Sequence, residues 1–566
     1  MLNETIIHPG LLLILGAALL PLLKGQLRTT ALLALPLFSL AFIWLLPQDT
    51  TLHTSFLEYE LTLLRFHPAT LIFSTIFAIM AFAGGLYAYR QAHIAEISSA
   101  YAYAGGAISV TFAGDLISLF VFWEIMALFS ATVLLINGSK ASGRAGMRYL
   151  FIHLLGGVIL MIGIVGHVAN TGSVAFNLMQ ADSFSHYMIL AGFLINAGAP
   201  PLSAWLPDAY PEASPSGTVF LSAFTTKTAV FVLLVGFAGS WVLIPVGLYM
   251  IFYGIIYALL ENDMRRILAY SIVNQVGFMI TGIGIGSEMA LNGAAAHAFA
   301  HIIYKALLLM TAGAVLYQTG KRKCTDLGGL FQSMPITTIC AIIGALAISA
   351  FPLTSGFVTK SMISQSSADA HMALTWFLLA AASAGVFLHA GVKFPWFVFF
   401  QKDSGMRPSE PPLNMRLAMY LFSFLCIALG VYPEPLYAIL PYEVNYVPYT
   451  AEHVIAQLQL LLFSGLAFFI LLPMMKRTLT ITLDFDWFYR VFAYKVSKWI
   501  QQKVERSFNK VRVMSLDWGN EILKFTSRHH GSQGILARTW PTGSMVLWIA
   551  ILLGSYILLN ILMHYE

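Results

Sequence analysis

The side chains able to do chemistry in this sequence are acids, lysines and histidines set inside apolar runs. In "GDLISLFVFWEIMALFSATVL", residues 114–134, Asp115 stands at the edge and Glu124 follows nine residues later. On a helix rising 1.5 Å per residue, Glu124 is about 14 Å further along, near the middle of a hydrocarbon layer about 30 Å thick. Lys227 lies inside "LSAFTTKTAVFVLL" in the same manner. In "AAAHAFAHIIYKALLL", His297, His301 and Lys305 recur every four residues, which puts them on one helical face. Lys360 follows Pro352, and His389 with Lys393 makes a further i, i+4 pair.

Ionisable groups at membrane depth are costly and are functional candidates by default. Their spread along the chain fits a proton path better than a single substrate pocket. Burial favours the neutral form of lysine and carboxylate alike, and histidine already titrates near neutrality, so each could take and release a proton. Other readings stand beside this one. Glu124 could make a structural hydrogen bond between helices. The H-x3-H spacing of His297 and His301 also suits zinc, but no carboxylate or cysteine lies nearby in sequence as a third ligand, so no metal is expected. His153, His167 and His389 read as interior or interface histidines. Tyr304 and Ser222 could line a water path or simply pack. Glu261, Asp263, Arg265 and Arg266 read as a solvated turn.

The elements that must position these groups are membrane helices. The 566 residues are 58% hydrophobic and 10% charged, against about 25% charged for soluble domains. Hydropathy places about sixteen spans near 10–24, 30–47, 68–89, 97–113, 115–136, 149–169, 187–206, 216–239, 241–260, 267–286, 290–317, 335–363, 372–400, 415–433, 453–473 and 544–563. Period-2 alternation is absent, so the spans are helical. The first, "HPGLLLILGAALLPLLKG", is followed by more spans and lacks a small-residue cleavage site, so it reads as a membrane helix rather than a signal peptide.

Lys24, Arg28, Arg90, Lys140, Arg144, Arg148, Arg265, Arg266, Lys321, Arg322, Lys323, Lys402, Arg407, Lys476 and Arg477 fall in alternate loops. Asp49, Glu58, Glu60, Asp182, Glu288, Asp369, Glu434, Glu443 and Glu452 occupy the others. The positive-inside rule then puts both termini outside, in the inner (cell) membrane of a bacterium. The net charge of +5 marks loops rather than a nucleic-acid partner. Cys324, Cys340 and Cys426 form no CxxC pair, which gives no case for a cluster, a zinc site or a disulfide framework. With no nucleotide loop, flavin fingerprint or cluster ligands, no cofactor is expected, and no enzymatic chemistry on a substrate.

Two spans are broken: "NAGAPPLSAWLPDAYPEASPSG", with Pro200, Pro201 and Pro207, and "ALAISAFPLTSGFVTKSMIS", with Pro352 and Gly356. Irregular backbone at membrane depth persists only under cover of protein or around a cavity, and paired breaks in corresponding positions mark repeat-built transporters. Two ordinary proline kinks are the plainer alternative. From about 476 to 543 aromatics such as Trp487, Phe492 and Trp499 interleave with Arg490, Lys498, Lys503 and Lys510. This suits a helix on the cytoplasmic interface, with lipid headgroups met at 485–510. A soluble loop with some helix is the alternative.

The motifs "GDLISLFVFWEIMALFS", "WLPDAYPEASPSGTVFLSAFTTK", "ENDMRRILAYSIVNQVGFM", "AHAFAHIIYKALLLMTAGAVL" and "FPLTSGFVTKSMI" run in order from about 110 to 365. Together they resemble the proton-conducting antiporter-like membrane subunits of respiratory complex I, membrane-bound hydrogenases and Mrp-type sodium/proton antiporters. The "DAYPEA" wording and the "HPGLLLILGA" start are most similar to the D-type member of the Mrp antiporters. The interfacial stretch with one extra helix is more like the distal complex I subunit.

The resemblance implies an all-α fold of two inverted five-helix repeats, each with a broken helix. N-terminal helices would fill 1–96, the repeats 97–239 and 241–400, and C-terminal helices 415–473. An interfacial segment at 476–543 and an anchor helix at 544–563 would follow. By position, Glu124 would be the first-half carboxylate, Lys227 the connecting lysine, His297, His301 and Lys305 the central relay, and Lys360 the exit-side lysine. Three positions depart from the family: Asn196 where it carries a lysine partner for Glu124, Ser203 where it has a histidine, and His67 where it has an acid. Either Lys227 takes over pairing with Glu124, or the first half conducts poorly.

The implied function is a proton-translocating subunit of a multisubunit cation (Na+)/proton antiporter, working with other membrane subunits. A pumping subunit of a complex I-like or hydrogenase-like redox complex is the alternative. A non-conducting scaffold subunit is the second.

Overall fold

The computed structural model describes residues 7–473, 484–532, 534–537 and 540–564. Residues 476–483, where the interfacial segment was expected to begin and which include Lys476 and Arg477, lie outside the described residues. In chain order the helices are α1 (Pro9–Leu19), α2 (Gly25–Leu45), α3 (Thr70–Ala88), α4 (Ile94–Phe112), α5 (Leu116–Ile136), α6 (Lys140–Thr171), α7 (Phe184–Ala197), α8 (Trp205–Ala209), α9 (Pro215–Leu221), α10 (Thr225–Gly236) and α11 (Leu243–Leu260). They continue as α12 (Met264–Ile285), α13 (Glu288–Thr319), α14 (Pro335–Ile348), α15 (Ser355–Asp369), α16 (Ala373–Val386), α17 (Leu413–Val431), α18 (Glu434–Tyr437), α19 (Ala451–Leu471), α20 (Ala493–His530) and α21 (Thr542–Met563).

Twelve helical segments among the described residues are long and apolar enough to cross a membrane, and three shorter apolar helices and α4 match the remaining expected spans. The chain is an all-α, multi-pass membrane protein. One departure is a hairpin, β1 (Leu52–Phe56) and β2 (Tyr59–Leu64), where only loop was expected. Its two-residue turn carries Leu57 at φ 52, and the strands pair Phe56 with Tyr59 and Thr54 with Leu61.

The chain divides into two units, Met1–Asp486 and Trp487–Glu566. In the first, α12 and α13 form the centre. The apolar windows of these two helices are 100% and 94% buried, against 22% for α2. Helix starts are fixed by side-chain caps: Asp115 accepts from the Ser118 N–H, Asp263 from Arg265 and Arg266, and Ser287 from Ala290. In the second unit, α20 carries Ile500, Val504, Phe508, Val511, Trp518, Ile522 and Phe525 at three- and four-residue steps and their multiples, a single apolar stripe along one helix.

Both expected breaks are real interruptions rather than kinks. Helix α7 stops at Gly198 with φ 80, and the chain reaches α9 through the single turn of α8. Helix α14 stops at Ile348, and α15 begins only after Ala350 (φ 56) and Leu353 (φ 67). A third break, at Ser222–Phe224 between α9 and α10, has no proline or glycine to announce it. Past Val386, α16 continues as π-helical turns, Phe387–Lys393 and Trp396–Phe400.

The expected solvated turn at 261–266 is instead a buried junction. Arg265 is 3% exposed and donates to the carbonyls of Pro211 (2.8 Å), Ala213 (2.9 Å) and Ser214 (2.9 Å), as well as to Thr218. Arg322 joins Asp263 at 2.8 Å to Glu212 at 2.9 Å, and Arg266 meets Glu261 at 3.3 Å. The cause is the first break. Unwinding around 211–214 frees carbonyls that buried backbone must satisfy, and the guanidinium fork reaches several at once. Arg265→Leu is expected to destabilise the protein by about 3–5 kcal/mol by leaving the Ala213 and Ser214 carbonyls without their donor. Thermal denaturation of the purified protein reads this, and Arg265→Lys should recover only part of the loss.

Candidate functional site

The polar groups gather where α12, α13 and α15 meet. His297, His301 and Lys305 lie on α13 as their spacing predicted, and all three are fully buried. Lys305 Nζ donates to Ser271 Oγ at 2.8 Å. The two ring nitrogens of His297 lie 3.0 Å from Gln275 Oε1 and 3.3 Å from Thr359 Oγ1. Tyr304 joins them: its hydroxyl donates to Gln275 Oε1 at 3.2 Å and lies 3.3 Å from His297 Nε2. Tyr304 is therefore part of the polar line as well as of the packing. His301 presents its ring edge-to-face to Tyr304 at 5.3 Å, and neither of its nitrogens has a hydrogen-bond partner.

Lys360, on α15, also lacks a hydrogen-bond partner at Nζ. Its ammonium rests 4.1 Å from the centre of the Phe278 ring, a cation–π contact. It borders a cavity of about 740 Å³ whose wall also carries Asp369, Glu452, Gln365 and Thr450. A second lysine is placed by the unannounced break. Lys227 Nζ donates to the freed carbonyl of Ser222 at 2.6 Å and to Thr226 Oγ1 at 3.1 Å. Ser222 thus acts through its backbone rather than as a hydroxyl on a water path.

These groups form a connected series. Lys227 is within electrostatic reach of Lys305. His301 is within reach of Lys227, Lys305 and His297, and His297 within reach of Lys360. Five of the six residues expected to act together are brought together: Lys227, His301, Lys305, His297 and Lys360.

Glu124 stands apart. It is half-buried on α5, and its Oε1 has no hydrogen-bond partner. That oxygen packs where a Cβ on Gly157 would collide with it. Lys227 makes no ion pair with Glu124 among the described residues, so the first of the two alternatives, that Lys227 takes over the pairing, is not what the structure has. Lys227 is held instead by the carbonyl that the third break releases. Asn196 does not hydrogen-bond Glu124 either, since both of its polar side-chain atoms are buried without a partner.

Gln275, Ser271 and Thr359 were not singled out from the sequence. The signal for the first was the polar pair in "SIVNQVGF"; the hydroxyls gave none. The bidentate pair of Arg148 with Asp208, at 2.7 and 2.8 Å, was also unforeseen. So was Glu96, a buried acid that accepts from Ser214 (2.7 Å) and Ser216 (2.5 Å). His389 and Lys393 fall on the π turn. Lys393 donates to the carbonyls of Ala258, Leu259 and Glu261 and so closes the end of α11. No group of three or more His, Cys, Asp or Glu among the described residues is placed to hold a metal ion.

Residues 113–387 match the sequence model of the family described as NADH:quinone oxidoreductase/Mrp antiporter, transmembrane region. A probable K(+)/H(+) antiporter protein (the A/B subunit) of Rhizobium meliloti (strain 1021) is 30% identical over 358 residues, 59% of this chain and 36% of that protein. Hydrogenase-4 component B of Escherichia coli (strain K12) is 28% identical over 394 residues, 61% of this chain and 58% of that protein. A chain in the structure of the Mrp complex from Dietzia sp. DQ12-45-1b superposes with a TM-score of 0.74 at 20% identity, covering 98% of this chain and 62% of that one. At that identity the likeness is one of fold. This chain spans less than two thirds of each of the three.

A buried ammonium without a hydrogen-bond partner is unfavourable, and an apolar side chain of similar length removes that penalty. Lys360→Met is therefore expected to raise the melting temperature of the solubilised protein. A fall of several degrees would show the ammonium holding structure instead.

Proposed function

We propose, from the premise that residues 113–387 carry the membrane domain of the NADH:quinone oxidoreductase/Mrp antiporter family, that this chain conducts protons as one subunit of a multisubunit cation/proton antiporter. The observation that carries the proposal is the buried series Lys227, Lys305, His301, His297 and Lys360, which ends at a cavity of about 740 Å³. Lys227 and Lys305 are buried like charges within electrostatic reach of each other, so charging one favours neutralising the other. A proton arriving at Lys227 would drive one off Lys305. His301 and His297, with Tyr304 and Gln275 between them, would carry it to Lys360 and the cavity beyond.

Glu124 would set the charge state of the first half without contacting Lys227. Na+ movement would belong to partner subunits, and mild-detergent co-purification of further membrane subunits tests that part. With the basic loops facing the cytoplasm, both termini would lie outside the cell membrane. The segment over 485–510 would lie on the cytoplasmic interface, its aromatics toward lipid and its basic groups toward the headgroups. A redox-driven role stays as the second reading, favoured by the match to Hydrogenase-4 component B over 61% of this chain.

The test replaces Lys305 with Ala in the assembled complex. Proton flux in membrane vesicles is expected to fall to background while the complex assembles normally. Wild-type flux with normal assembly would favour the scaffold reading instead.

A further inference from the structure

The first half lacks the charge partner that Glu124 would need, yet it contains a line of hydroxyls with one histidine in it. Tyr149 OH donates to Ser130 Oγ at 2.9 Å and lies 3.3 Å from Thr225 Oγ1. Tyr103 OH lies 2.5 Å from the same Thr225 Oγ1 and accepts from the Thr225 N–H at 2.8 Å. All four side chains are buried, and they come from four different helices, α4, α5, α6 and α10. Thr225 directly precedes Thr226, whose hydroxyl accepts from Lys227. At its far end the Tyr149 ring packs on His153.

His153 is fully buried and tightly oriented. Its ring stacks on Tyr149 with centroids 3.9 Å apart, and Trp205 meets it edge-on at 4.7 Å. Nδ1–H donates to the Tyr149 carbonyl at 2.9 Å, which leaves Nε2 as the proton-accepting atom, and Nε2 has no partner in the protein. His153 sits one helical turn from Gly157, the residue against which Glu124 Oε1 packs. Helices α5 and α6 run antiparallel, with Ser130 opposite Tyr149 and Glu124 opposite Gly157, so His153 falls between these two levels.

We infer that His153 replaces the missing lysine at position 196: it serves as the titratable partner of Glu124 and passes protons along the Tyr149–Thr225 hydroxyls to Lys227. Across intervening water the proton leaves the Glu124 carboxyl and adds to His153 Nε2, giving carboxylate and imidazolium. Nε2 then returns it through water to the hydroxyl line, where each oxygen accepts one proton as it releases another, and a proton arrives at Lys227. Nδ1–H stays on the Tyr149 carbonyl throughout, and nothing is oxidised or reduced. Asn196, buried one helix away beside Gly156, could not do this because an amide does not hold a proton near neutral pH. The inference rests on the relay proposed above and adds its first-half connection.

The experiment measures proton flux of the assembled complex in vesicles for His153→Leu, His153→Gln, Tyr149→Phe, Asn196→Lys with His153→Leu, and Lys305→Ala. His153→Leu is expected to lower flux by about a hundredfold, the low side of what a positioned proton carrier contributes. The glutamine variant keeps the size and polarity of the ring position and reads the same loss if the leucine variant fails to assemble. Adding Asn196→Lys should restore flux, which a packing role for His153 would not allow, and Tyr149→Phe should slow it. Wild-type flux in both His153 variants, with Lys305→Ala inactive, would overturn the His153 assignment and leave the relay standing. No rescue by Asn196→Lys would overturn the replacement. Wild-type flux in Lys305→Ala would overturn the relay itself.

Discussion

A carbonyl released by an interrupted helix must find a donor when neither water nor the next turn can supply one. Much of the polar architecture follows from that constraint. Lys227 meets the carbonyl freed at Ser222. Arg265 meets those of Pro211, Ala213 and Ser214, and Lys393 meets three at the end of α11. Each cation is placed by backbone geometry before any question of transport arises. Lys227 serves both purposes: the break that gives it a structural partner also holds its ammonium within reach of Lys305.

The same constraint separates saturated groups from unpartnered ones. Arg265, Arg322 and Lys393 are saturated with acceptors or ion pairs. Lys360, His301, Asn196 and one nitrogen of His153 are buried without hydrogen-bond partners. Such groups are expensive in a stable fold, and proteins retain stability-costing residues mainly at functional sites. Of the unpartnered groups, Lys360 stands at the cavity wall and His153 one turn from the Glu124 contact.

Much of this was legible in the sequence because cost leaves a signature. Lysines and histidines in apolar runs are rare, and a four-residue spacing fixes a face, so α13 was readable residue by residue. Pro200, Pro201 and Pro207 marked one break, and Pro352 with Gly356 the other. The third break was silent: "LSAFTTK" holds neither proline nor glycine. The junction at 261–266 misled because loop residues with alternating charge resemble a solvated turn. Its burial depends on 211–214, about fifty residues earlier in the chain. Hydroxyls carry no signature at all, since Ser, Thr and Tyr are common in membrane helices, and the line through Tyr149 and Thr225 exists only once four helices meet.

The central claim is that the buried lysines and histidines are joined by water into one conducting line. A cryo-EM map of the assembled complex, sharp enough to show ordered water, tests it directly. The account predicts water bridging Lys227 to Lys305 and His301, and His297 to Lys360 and its cavity. Closely packed apolar side chains filling those intervals, with no water between the groups, would contradict it.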